Sequence, residues 1–120
     1  MTEAETPLHG EGAEGSMYLT MLTGALDDWR GQHTKVELVN HALLCRRAML
    51  VASSNGGDTI YRKLAADIAY DRSLIKLCQA YGVTCDLANF AIPNQERIRV
   101  EAELVLAGIN LGALLKQPGD

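Results

Sequence analysis

From Thr34 to Ser54 the chain runs without a glycine or proline, and this stretch constrains the fold more than any other. Thr34 and Glu37 form a capping box, in which hydroxyl and carboxylate each satisfy a free backbone N–H at a helix start. Gly56 and Gly57 end the run. At 100° per residue, Val36, Val39, Leu43 and Leu50 fall on one apolar stripe. Leu38, Ala42, Cys45, Met49 and Ala52 fall on a second. A surface helix needs one stripe, so two predict neighbours on two sides and a central position for this helix.

Arg46 and Arg47 sit inside that apolar setting with no acidic residue three or four places away. Local pairing cannot neutralise them. A guanidinium removed from water needs a carboxylate or must keep its head in solvent. On the next helix Asp67 and Asp71 are four apart and share a face, where two carboxylates raise each other's pKa unless a cation intervenes. A hairpin turning near Gly56 brings Asp67 within reach of Arg46 or Arg47. The expectation is an Arg–Asp pair between the second and third helices, and Arg46, Arg47, Asp67 and Asp71 are the candidate ligand- or partner-binding residues.

Ala, Leu and Val dominate the chain while aromatic residues make up 5%, which favours close-packed helices over a sheet. At 120 residues it holds one modest core. The net charge of −4 comes from Glu3, Glu5, Glu11 and Glu14, so the body is neutral and has no basic block. That argues against nucleic acid as a partner. The most apolar run, Leu104 to Leu115, is too short to span a bilayer, so no membrane partner is expected. The polar, acidic start does not read as a signal peptide. Three scattered cysteines do not make a disulfide scaffold, and a reducing, cytoplasmic setting is expected. Cys45 and Cys78 read as buried thiols, and Cys85 as a loop residue that can meet Cys78.

The expected architecture is all-α: an antiparallel bundle of four main helices, residues 16–120, behind a disordered acidic tail, residues 1–15. The first helix runs from Ser16 to Arg30, with Tyr18, Leu22, Ala25 and Trp29 inward. The third runs from about Asp58 to Tyr81, with Ile60, Leu64, Ile68, Ile75 and Cys78 on its apolar face. Residues 83–93 contain Phe90 and are expected to cross the bundle or form a helical turn, with a lid as the functional alternative. The fourth helix starts near Pro93 and continues to about Lys116. It also carries two stripes: Ile98, Ala102, Val105, Ile109 and Ala113, and Val100, Leu104, Leu111 and Leu114. Gly108 and Gly112 are expected to allow close backbone approach.

His33, Glu37, His41 and Cys45 recur at four-residue intervals, all of them metal-ligand types. The row drifts around the helix, so Glu37, His41 and Cys45 supply at most two metal ligands together. Nucleophile elbows, dinucleotide fingerprints and zinc clusters are missing, and no cofactor is expected. The reading is a non-enzymatic helical interaction or regulatory protein, homodimeric through Val100, Leu104, Leu111 and Leu114. The competing reading is a small-ligand- or metal-binding protein, with scope for catalysis, built on the Arg/Asp cluster. Deleting residues 1–15 is expected to leave the melting temperature close to that of the full chain; a large loss in a thermal melt would show that these residues pack.

Overall fold

The computed structural model of the chain describes residues 9–54 and 60–116, with side chains from 17 to 53 and from 60 to 113. Every regular element among them is helical: α1 (His9–Asp28), α2 (Lys35–Ser54), α3 (Ile60–Tyr81), a short 3-10 turn (Leu87–Ala91), α4 (Pro93–Leu106) and α5 (Leu111–Lys116). The bundle expected from the sequence is present. α1 begins earlier than Ser16, because lengthening an existing helix needs no new nucleus. The expected tail therefore overlaps α1 from His9 onward, and residues 1–8 lie outside the described residues. So do residues 55–59, where the turn expected near Gly56 falls.

α2 starts as its sequence demands. Thr34 N–H donates to Glu37 Oε1 at 2.8 Å, and Glu37 N–H donates to Thr34 Oγ1 at 3.1 Å. Its Leu38, Ala42, Met49 and Ala52 stripe is buried, with Cys45 half-buried beside it. The other stripe is divided: Val36 is 68% exposed and Leu50 43%, while Val39 and Leu43 are half-buried against the core. The helix with neighbours on several sides is α3, which packs against α1, α2 and α4. Tyr70, Asp71, Ser73, Leu74, Ile75, Leu77 and Cys78 are all buried, so nearly the whole circumference of α3 is covered here. Polar members of that set hide it from a periodicity reading: Tyr70 and Ser73 fall away from the apolar face on which Asp71 lies.

The ends of α3 and α4 are built alike. Gly82 (φ 70°) and Gly108 (φ 99°) take left-handed backbone that other residues rarely adopt. The N–H groups of Val83 and Ile109 then reach back to the carbonyls of Cys78 and Leu104, at 2.9 and 2.8 Å. Each is a Schellman closure, which satisfies carbonyls that a helix end leaves free. Gly108 thus ends α4 rather than admitting a neighbour, and the expected single helix to Lys116 is two helices. Asn110 opens the second by accepting from the Ala113 N–H at 3.0 Å. Within the 83–93 connection, Asp86 caps the 3-10 turn through Ala88 N–H at 3.0 Å. The turn packs on α1 and α4 with Phe90 fully buried, as a segment crossing the bundle does.

One ion pair lies inside the core. Arg97 of α4 grips Asp71 of α3 through two hydrogen bonds, Nε to Oδ1 at 2.7 Å and Nη2 to Oδ2 at 2.8 Å. Tyr18 of α1 donates its hydroxyl to the same carboxylate, and Asn94 accepts from Arg97 Nη1 at 2.8 Å. Asp71 is fully buried. Burial pushes its carboxyl above the ordinary range, against the pull of Arg97 and Tyr18. The pair is thus retained by its geometry, and one member without the other would leave an unmet buried charge. Asp71→Ala and Arg97→Ala are each expected to lower unfolding free energy by about 3–5 kcal/mol. Urea titration of both single variants and the double variant checks this: the double loss should fall well short of the sum of the single losses.

Candidate functional site

Where α1 gives way to α2, Trp29 collects an aromatic and basic cluster. The ring centroids of His33 and His41 lie 4.5 and 4.4 Å from that of Trp29. The Arg72 guanidinium, from α3, sits 4.8 Å from the same indole centroid, a cation–π contact. Arg72 Nη1 donates to the Ala25 carbonyl at 3.4 Å, and Nη2 lies 3.4 Å from His41 Nε2. Because a guanidinium only donates, His41 must present a bare Nε2 and carry its proton on Nδ1. Cys45 Sγ stands 3.4 Å from that same Nε2. Burial, then Arg72 and His33, push the His41 imidazole below its usual range. The sequence predicted none of this convergence, since Trp29 follows the end of α1, His41 lies on α2 and Arg72 on α3.

Arg72 also closes one end of a groove between α1 and α3. The groove encloses about 490 Å³. Gly24, Ala25, Ala65 and Ala69 contribute small side chains, while Met21, Tyr61, Leu64 and Ile68 supply bulk. Asp28 is its other charged residue. A Cβ placed on Gly24 would meet nothing within 4 Å. The groove is thus open, mostly apolar and about as deep as small residues on two adjacent helices make it.

The expected Arg/Asp cluster does not assemble. Arg46 turns to α4, with its Nε 3.3 Å from Glu101 Oε2, and Tyr70 donates its hydroxyl to that same oxygen. Arg47 is exposed and forms no ion pair among the described residues. Asp67 pairs with Lys63 one turn away at 3.0 Å, while its Oδ1 is buried without a partner. Asp71 is taken by Arg97. Level counting along a hairpin put α2 opposite α3 correctly, yet it could not see that α4 supplies the counter-charges. Arg97 and Glu101, i and i+4 on that helix, were the missed signal: two opposite charges on one stretch with two stripes.

The proposed interface residues are placed differently as well. Val100, Leu104 and Leu111 are buried within the single chain, and the side chain of Leu114 lies outside the described residues. The other α4 stripe faces outward, with Ile98 69% and Val105 46% exposed. Beside it a smaller cleft of about 240 Å³ runs from Arg46 to Gly112. Of the metal-ligand types, Glu37 is engaged in the capping box, and His41 and Cys45 meet each other. Among the described residues no three His, Cys, Asp or Glu side chains gather as a metal site. Nor is any described helix long and apolar enough to cross a membrane.

Comparison with family models, curated proteins and solved structures returns no match. The site's chemistry therefore rests on its own geometry. His41 gives the clearest test of that geometry, because its folded-state pKa lies below the ordinary value of 6.5. The unfolded chain takes up the proton first as pH falls. Stability associated with His41 is thus full above about 6.5 and is lost as pH drops toward its folded pKa. Denaturation midpoints measured at several pH values should fall below about pH 6.5, and His41→Gln should flatten that part of the profile.

Proposed function

We propose that the chain is a small non-enzymatic helical interaction module that works as a homodimer. The observation that carries this reading is the apolar groove between α1 and α3, which is of the kind that receives the apolar face of a helix. A small-molecule pocket uses convergent polar groups to orient its ligand. Here the charged groups are Asp28 and Arg72, and Arg72 is already engaged by Trp29, His41 and Ala25. The partner helix favoured is α4 of a second copy. Its Ile98, Ala102 and Val105 form an outward stripe at helical spacing, continued by Leu106 at 81% exposure. A two-fold pair would bury both grooves and both stripes, as isologous contacts do. Leaving apolar surface of this kind in water is unfavourable for a lone chain.

Size exclusion with light scattering tests the reading directly. The expected mass is twice 13.0 kDa at micromolar concentration. Ile98→Glu with Val105→Glu should give a folded monomer, because both side chains point away from the core. Gly24→Leu, whose Cβ meets nothing within 4 Å and whose side chain adds bulk to the groove, should weaken the same dimer. A wild-type chain that stays at 13.0 kDa up to millimolar concentration would overturn self-association.

A further inference from the structure

The cleft of about 240 Å³ lies where α2 meets α4 and α5, and it differs from the α1–α3 groove in gathering three polar side chains. Arg46 Nε donates to Glu101 Oε2 at 3.3 Å, and the Tyr70 hydroxyl donates to that same oxygen. Nε is one of five N–H groups on a guanidinium, so Arg46 keeps donors beyond this pairing. Asn110 accepts from the Ala113 N–H through Oδ1 at 3.0 Å, which leaves its amide NH2 as a donor. The rest of the lining is apolar: Ile98, Ala102 and Val105 of α4, with the buried Leu111 of α5. Gly112 completes it. This glycine lies inside α5 without a positive φ, where alanine is the more stable choice. A Cβ there would meet Asn110 Oδ1 at 3.6 Å and Arg46 Nη2 at 3.8 Å, both ordinary contacts. Neither backbone conformation nor close packing requires glycine at this point. What the missing side chain leaves is open space beside Arg46 and Asn110.

A guanidinium and an amide NH2 beside one small space suit a carboxylate, which a guanidinium can hold through two hydrogen bonds. An apolar remainder suits an aliphatic chain, as small-molecule sites combine a few placed polar groups with apolar walls. At about 30 Å³ for each water-sized group, the cleft holds about eight non-hydrogen atoms. We infer that it binds a small branched aliphatic carboxylate, with Arg46 and Asn110 on the carboxylate and Ile98, Val105 and Leu111 around the chain. Glu101 lines the same cleft and would accept from an ammonium on the carbon next to that carboxylate. The ligand is therefore a simple branched acid or the α-amino acid with the same chain. This binding does not rest on self-association, although Ile98, Ala102 and Val105 also form the stripe offered to a second copy. A bound acid and that contact exclude each other.

The experiment is a titration of the isotope-labelled, full-length chain followed by its amide NMR shifts. It is run on wild type and on Gly24→Leu, whose altered groove disfavours the competing contact. The probes are isocaproate, L-leucine and the uncharged isohexanol. One or both acids should shift the amides of Arg46, Ala102 and Gly112 saturably at millimolar or lower concentration. Isohexanol should bind at least about tenfold more weakly, for want of a charge-assisted bond. Tighter binding of L-leucine than of isocaproate would assign its ammonium to Glu101, and the reverse would assign a simple acid. Arg46→Gln should weaken the preferred acid by about tenfold or more. Because that change also breaks the contact with Glu101, Gly112→Leu is the second variant. It should keep or raise the melting temperature, since leucine favours a helix over glycine, while abolishing binding. No saturable shift in either chain up to about 10 mM would overturn the inference. So would isohexanol binding as well as the acids, or undiminished binding by Gly112→Leu.

Discussion

Asp71 and Arg97 set the terms for the rest of the bundle. A carboxylate with no exposure is tolerable only if its hydrogen-bond partners arrive from the correct directions. Those partners come from α1, through Tyr18, and from α4, through Arg97, while Asp71 itself belongs to α3. Three helices are thereby held at one point by directional bonds, in a core otherwise built mostly from leucine and isoleucine that would accept many rotations and slips. Arg46, Glu101 and Tyr70 repeat the arrangement nearer the surface, joining α2, α4 and α3. The two polar clusters share the helices α3 and α4 and together touch all four long ones. Apolar burial drives such a bundle together, and these bonds select one register for it.

Local features were readable in the chain. The Thr34–Glu37 box and the apolar connection around Phe90 each act over a few residues, and each appears as expected. The assignment of inside and outside was harder. Both α2 and α4 show two stripes, and leucine content does not say which is buried: in α2 Leu38 and Met49 go inside while Leu50 stays 43% exposed, and in α4 Val100 and Leu104 go inside. The exposed stripes are richer in β-branched residues, Val36, Ile98 and Val105, which periodicity weighs equally. The burial of α3 on several sides escapes periodicity because Tyr70 and Ser73 are polar by type and core by position. Ser73 is made compatible by donating its hydroxyl to the Ala69 carbonyl at 3.0 Å within its own helix.

The candidate site was legible only in part, for a related reason. His41 and Cys45 were marked by their spacing on one helix, and they do meet. What gives His41 its character is Arg72 on α3 and Trp29 beyond the end of α1, and such a meeting of three segments leaves no periodic trace. The break between α4 and α5 was visible in principle. Glycine followed two places later by asparagine is a stop and a start, and Gly108 and Asn110 act as both.

Trp29 is the only tryptophan in the chain, and its ring is in contact with two imidazoles and a guanidinium. Protonated imidazole quenches indole emission, whereas the neutral ring does so far less. The protein therefore carries an intrinsic fluorophore at the junction of α1, α2 and α3, with no competing indole elsewhere. Its emission intensity reports the charge state of this corner, and its wavelength reports water entering as the three helices separate. Optical readout of the site needs no label.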